Sequence, residues 1–265
     1  MTTILPEQAA ALRQLKEVCY EIGVDVVVIG AVAYRVWLDD ENRMTEDVDV
    51  AVALDVDELP QLTDRLAIRG WRQDARWEQR WHSLGNARVD VLPVGPKARQ
   101  RREIVWPRAE TRMRVVGYDH VFHDAVEREL APDLVLRVVP LPVLALLKIV
   151  SYSDDPHARQ KDLRDLVALM RSYEEDGERR FSDEVLDVGV DYQESGAYLL
   201  GRDLRALCTG EDEEDAVDRF LERVCNADFH VPVAIGGVGS GDANRPYARG
   251  FAALARGFGP VGSTR

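Results

Sequence analysis

Arg43-Met44-Thr45-Glu46-Asp47-Val48-Asp49-Val50-Ala51-Val52-Ala53-Leu54 is the stretch on which the reading of this chain turns. From Asp47 onward apolar residues alternate with the rest at a period of two, the period of a β-strand. Val48, Val50 and Val52 fall on one face, and Asp47 and Asp49 share the other. Two neighbouring carboxylates repel each other unless one is protonated or a cation neutralises both. Oxygen-only donors suit Mg²⁺, which takes one or two carboxylates together with phosphate oxygens. Two acids on a solvated strand face remain the plainer alternative at this point.

Upstream, Ala9, Leu12, Leu15, Cys19 and Ile22 recur at helical spacing over residues 6–22, and Gly23 ends the run. Val24 to Ile29 is a β-branched strand. Gly30 closes it, and Ala31 to Leu38 resumes as a helix. Glycine permits close backbone approach, and the unpaired N–H groups of a helix start attract phosphate; a glycine ending a strand is also simply a turn. Downstream, Asp57 to Ile68 predicts a helix closed by Gly70. Trp71 to Glu78 and Ala87 to Val94 predict further strands, the second carrying Asp90 in Arg88-Val89-Asp90-Val91-Leu92. Asp90 is a candidate third acid for the face of Asp47 and Asp49, or an isolated surface acid. Tyr118 to Leu130 predicts a helix and Leu134 to Val139 a strand.

Beyond residue 140 the pattern turns helical, over about 143–153, 158–175, 192–208 and 212–225. The first of these places one lysine in an apolar run, Pro142-Val143-Leu144-Ala145-Leu146-Leu147-Lys148-Ile149-Val150. Such a helix is buried nearly all round, and a buried ammonium needs an anion, either the chain's own carboxylates or a phosphate. On the 158–175 helix Leu163, Leu166, Val167 and Met170 form the inner face. Arg159 and Asp162 flank it as an i,i+3 pair while Asp165 points further out. The expected organisation is a domain over 1–140, a helical domain over 141–230 and a loop-rich Gly/Pro tail over 231–265.

A formal net charge of -13 disfavours indiscriminate nucleic-acid binding, which depends on neutralising phosphates. One basic segment opposes that trend: Lys97, Arg99, Arg101, Arg102, Arg108, Arg112 and Arg114, either a solvated surface or a grip on a polyanion. Cys19, Cys208 and Cys225 lie too far apart for a disulfide framework or a thiolate zinc site and are expected as buried apolar residues. His120 and His123 have no obvious third zinc ligand. Residues 236–241 are glycine-rich without the lysine of a phosphate-binding Walker loop. Trp71, Trp77 and Trp81 are expected in the core or an interface. No apolar stretch is long enough to span a bilayer, and the N-terminal residues lack the blocks of a signal peptide, so the expected setting is cytoplasmic, away from membrane.

Strand, Gly30-Ala31, helix, Asp47-x-Asp49, then a strand with Asp90: this order resembles the DNA polymerase β-like nucleotidyltransferase superfamily, whose hallmark is Gly-Ser or Gly-Gly, a spacer and Asp-x-Asp. Lys148 followed by Arg159-Gln160-Lys161-Asp162-Leu163-Arg164-Asp165-Leu166 looks like the Lys…Lys-Asp-x-x-Asp-Leu segment of the AbiEii/AbiGii toxin-type nucleotidyltransferases of type IV toxin–antitoxin systems. The resemblance spans roughly residues 20–175. It implies an α/β (α+β) nucleotidyltransferase fold: a mixed, mostly antiparallel sheet flanked by helices, with a C-terminal helical domain. It further implies Mg²⁺ or Mn²⁺ held by Asp47 and Asp49, with Asp90 completing the metal site or accepting the proton of the attacking hydroxyl. Phosphates would meet Gly30, Ala31 and Lys148, with Arg43, Thr45, Lys161 and Asp162 supporting the nucleotide. The implied substrate is an NTP, the acceptor RNA (such as a tRNA 3′ end) or protein, and the implied partner an antitoxin. Ala31 departs from the family pattern and lacks the hydroxyl that serine would offer phosphate. That departure and the acidity speak for a rival reading, a catalytically silent nucleotide-binding or interaction module of such a two-component system, against which the intact Asp47, Asp49, Asp90 and Lys148 weigh.

Overall fold

Hydrophobic alternation and helical stripes resolve, in a computed structural model that describes residues 4–38, 45–175, 177–229 and 245–259, into two units, Met1–Pro140 and Leu141–Arg265. The first contains α1 (Pro6–Glu21), β1 (Val26–Ile29), α2 (Gly30–Leu38), β2 (Asp47–Val52), α3 (Pro60–Ile68), β3 (Arg72–Gln73), β4 (Arg80–His82) and β5 (Arg88–Pro93). It continues with α4 (Pro96–Arg101), β6 (Glu103–Val105), β7 (Arg112–Arg114), α5 (Tyr118–His123), β8 (Val126–Ala131) and β9 (Leu134–Val138).

Seven strands form one sheet in the order β3-β4-β5-β2-β1-β9-β8, and β6 pairs with β7 separately. β5–β2 and β1–β9 are parallel and the other neighbours antiparallel, so the sheet is mixed and mostly antiparallel, as the resemblance implied. Val48, Val50, Val89, Val91 and Val28 are fully buried on one face. On the opposite face Ala51 and Val27 are buried too, but the first half of β2 is left partly open, and there Asp47 and Asp49 stand. The first turn of α1 is tied to this region: Gln8 accepts the Leu5 N–H at 3.0 Å and donates to the Thr45 carbonyl at 3.1 Å.

The expected helix over Tyr118–Leu130 is corrected. It stops at His123, and Val126–Ala131 forms β8, whose first four residues are exposed and which among the described residues is an edge strand paired only with β9. The polar character of Val126-Glu127-Arg128-Glu129 fits a strand with solvent on both sides.

The second unit is helical: α6 (Leu141–Asp154), α7 (Gln160–Ser172), a 3₁₀ turn at Glu178–Phe181, α8 (Asp183–Leu186), α9 (Tyr192–Leu207), α10 (Glu211–Val224) and α11 (Arg245–Phe258). α11 corrects the expectation of a loop-rich tail over part of its length. Its apolar stripe buries Phe251, Leu254 and Phe258, and it packs closely on α9. A Cβ at Gly201 would collide with the Leu254 carbonyl and one at Gly257 with the Tyr198 carbonyl. Both glycines therefore serve backbone-to-backbone packing rather than a loop. Tyr152, Phe220 and Phe251 meet edge to face at 5.9 and 6.1 Å. Residues 231–244 and 260–265 of the expected tail lie outside the described residues. Among the described residues no helix is long and apolar enough to cross a membrane.

Candidate active site

Strand register assembles the acids. Asp49 lies opposite Asp90 in the parallel β2–β5 pair and opposite Ile29 at the end of β1. Register partners share a face, so Asp47, Asp49 and Asp90 project from the same side, although Asp90 is remote from the other two in sequence. Asp47 is oriented by Thr45, whose hydroxyl lies 2.9 Å from both Asp47 Oδ1 and the Asp47 carbonyl. Gly30 opens α2 with φ +66°, and a Cβ added there would overlap the Asp49 carboxylate. The strand-to-helix turn thus requires glycine twice, for its left-handed backbone and for the room that Asp49 takes. Ala31 follows, half-buried, in the first turn of α2. Arg43 lies outside the described residues.

One residue of this cluster is not marked by the sequence. Arg80, on β4 opposite Asp90, donates Nε to Asp90 Oδ1 at 2.8 Å, Nη2 to Asp90 Oδ2 at 2.8 Å and Nη2 to Asp47 Oδ2 at 2.9 Å. Its pKa is raised, first by the hydrogen bonds to Asp90 against the opposing effect of burial, then by the charges of Asp90, Asp47 and Asp49. Side-chain exposures of 20% for Arg80, 33% for Asp47 and 11% for Asp90 leave the cluster within reach of solvent. The same sheet face continues to Arg88, opposite Asp47, and His82, opposite Arg88. These two, with Glu46, Asn86 and the start of α1, line an open cavity of about 340 Å³.

Oxygen donors of this kind suit a hard divalent cation. Among the described residues no group of three or more His, Cys, Asp or Glu is placed to hold a metal ion, and Arg80 engages both oxygens of Asp90. The residues fit an ion carried by Asp47 and Asp49 with substrate phosphates completing its shell, rather than a cage of three acids.

The second candidate cluster lies wholly in the helical unit. Lys148 on α6 is 7% exposed, and its Nζ meets Asp162 Oδ1 at 3.1 Å and Asp165 Oδ2 at 2.6 Å on α7. Two corrections follow. Carboxylates of the chain satisfy the buried ammonium, so its burial no longer argues for phosphate. Asp165 turns inward and is 1% exposed, because a buried cation on the neighbouring helix draws it there. Arg159 Nε comes within 2.6 Å of Asp162 Oδ2, the expected i,i+3 pair; among the described residues neither atom has a hydrogen-bond partner, so the contact is coulombic. Burial pushes the Asp162 carboxyl up, and the charges of Lys148 and Arg159 outweigh it, so the group titrates below the usual carboxylate range. Lys161 is exposed.

The basic segment is largely matched by the chain's own acids. Lys97 pairs with Asp57, Arg99 and Arg102 with Asp119, Arg108 with Glu78, and Arg112 with Glu103. Cys19 and Cys208 are buried, each thiol pushed up to about 12 by burial, whereas Cys225 is exposed, against expectation. Trp71 and Trp81 are buried as expected; Trp77 is 46% exposed beneath Arg76.

Similar solved structures include the antibiotic-resistance factor ANT(2'')-Ia in solution (11% identity, 61% of this chain and 83% of that one, TM-score 0.39). The same factor in complex with adenylyl-2''-tobramycin gives 12%, 60%, 85% and 0.40. An antigenic nucleotidyltransferase-like protein from Paracoccidioides brasiliensis gives 13%, 82%, 88% and 0.45. No curated protein sequence matches significantly. Residues 13–229 match the family described as nucleotidyl transferase AbiEii toxin, type IV TA system, a span that takes in the acid face of the sheet and the Lys148–Asp162–Asp165 cluster, and the chain belongs to that family.

Proposed function

We propose that the chain transfers a nucleoside monophosphate from an NTP to an acceptor hydroxyl on RNA, such as a tRNA 3′ end, acting as a toxin with Mg²⁺ or Mn²⁺. The observation that carries this reading is the convergence of Asp47, Asp49 and Asp90 on one partly open sheet face, with Gly30 making room for Asp49 at the start of α2. Asp47 and Asp49 would hold the metal, and Thr45 fixes the rotamer of Asp47. When bound, a divalent ion lowers the pKa of an acceptor hydroxyl and stabilises the charge of departing pyrophosphate. The N–H groups that open α2 at Gly30 and Ala31 would receive phosphate oxygens, and backbone donors make this independent of a serine at position 31. Arg43 is a further candidate for phosphate contact.

Asp90, with both oxygens on Arg80, anchors that guanidinium rather than serving as a third ligand. Lys148 enters as the residue that fixes Asp162 and Asp165 in the helical unit. The internal pairing of the 97–114 cations reduces the case for that segment as an RNA grip. An antitoxin would be the chain's protein partner.

The test is incubation of the pure protein with each α-³²P-labelled NTP, Mg²⁺ or Mn²⁺ and total RNA, beside a protein-only control. Label on RNA is the expected result, absent with Asp47→Asn or Asp49→Asn. Label on protein would replace RNA by a protein hydroxyl as acceptor. Nucleotide binding without pyrophosphate release would support the silent module instead.

A further inference from the structure

The acid face carries its own cation. Arg80 reaches across the sheet from β4 and joins Asp90 on β5 to Asp47 on β2 through three hydrogen bonds of 2.8–2.9 Å. The planar guanidinium has the right shape for this, since Nε and Nη2 grip both oxygens of Asp90 while Nη2 is shared with Asp47. Those contacts fall on oxygens that a divalent ion would also seek. An ion approaching Asp47 meets a fixed positive charge at hydrogen-bond distance from the same carboxylate, and the Nη2–H already takes up one lone-pair direction of Oδ2. Both effects oppose metal binding before a triphosphate adds oxygens of its own.

Resting on the nucleotidyltransferase reading above, we propose that Arg80 is the resident counter-ion of the acid face. It offsets part of the charge of Asp47 and Asp90 in the nucleotide-free protein and keeps divalent metal binding weak until nucleotide arrives. Asp90 acts by holding Arg80, and both are positioning residues. The arrangement also stabilises the empty site, since without Arg80 the acids on one face would repel each other across adjacent strands.

Mn²⁺ titration of the nucleotide-free full-length protein, followed by electron paramagnetic resonance, tests this in wild type, Arg80→Gln, Arg80→Lys, Asp49→Asn and the double variant Arg80→Gln with Asp49→Asn. Thermal denaturation in chelator and in Mn²⁺ accompanies each titration. Arg80→Gln is expected to bind Mn²⁺ at least about tenfold more tightly than wild type. It should also melt lower in chelator and recover most of that loss in Mn²⁺, a rescue that lost packing alone would not give. Arg80→Lys keeps a charge without the fork and is expected in between; it decides the matter alone if the glutamine variant does not fold. A folded Arg80 variant with Mn²⁺ affinity equal to or below that of wild type would overturn the proposal. Mn²⁺ binding by Arg80→Gln that is unchanged when Asp49→Asn is added to it, or none by any variant, would remove the metal reading itself and the proposal with it. The two overturning results differ in that Asp49→Asn still weakens Mn²⁺ binding in the first.

Discussion

Two charged clusters, one in each unit, each set a cation between aspartates and differ in what can reach them. On the sheet, one arginine spans acids on two strands, and Asp47 keeps a third of its side chain exposed. In the helical unit Lys148, Asp162 and Asp165 are 8%, 3% and 1% exposed at the side chain. A ligand can approach the first without disturbing the core, whereas reaching Lys148 Nζ means displacing a carboxylate already bonded to it. Perturbed charges are often taken as signs of function, and both clusters contain one, Arg80 and Asp162. Accessibility separates them: the sheet cluster is open to a ligand, as the proposed chemistry requires, and the helical cluster ties α6 to α7.

The sharpest way to break this contrast is to neutralise each cluster in turn. Asp49→Asn is expected to lower nucleotidyl transfer by about 10³-fold or more with near-native thermal stability; steady-state transfer and calorimetry check the two halves. Lys148→Met should do the reverse in stability. Leaving two carboxylates buried without their cation is expected to cost about 3–5 kcal/mol, measured by denaturant unfolding, where a loss below about 1 kcal/mol would sink the role of Lys148 in tying α6 to α7. Gly30→Ala is expected to cost about 1–2 kcal/mol from the left-handed backbone and to impair transfer more than stability, because the new Cβ pushes against Asp49. The smallest effect concerns pH. The folded Asp162 carboxyl titrates below its unfolded value, which is about 3.9. Its contribution is therefore complete above that value and fades as pH falls through the folded one. Asp162→Asn should flatten the acid limb of the stability curve below about pH 4; an unchanged limb in a pH series of melts would contradict this.

Much of the sheet unit is legible in the sequence: β2, β5 and β9 follow from apolar alternation, β1 from its run of β-branched residues, and Gly30 marks the turn before α2. Asp47 and Asp49 need only local geometry. Arg80 is not legible. The strand expected over Trp71–Glu78 breaks after Gln73 and resumes at Arg80, and nothing local says that an arginine there faces an aspartate ten residues on. Asp165 escapes because a helical wheel ranks residues against their own helix's apolar face, while Lys148 pulls from another helix. β8 reads as helix because an edge strand with both faces wet has no apolar alternation to show. α11 is hidden by the Gly/Pro-rich composition around it, although one of its glycines, Gly257, serves close helix packing in the fold.

The most direct measurement is transfer of α-³²P-labelled nucleotide to RNA by wild type and Asp49→Asn at matched, calorimetrically verified folding. Labelled RNA with wild type alone is the expected result and would place the chemistry on the acid face of the sheet. Equal labelling by the two proteins would contradict it and move the search away from Asp47, Asp49 and Arg80.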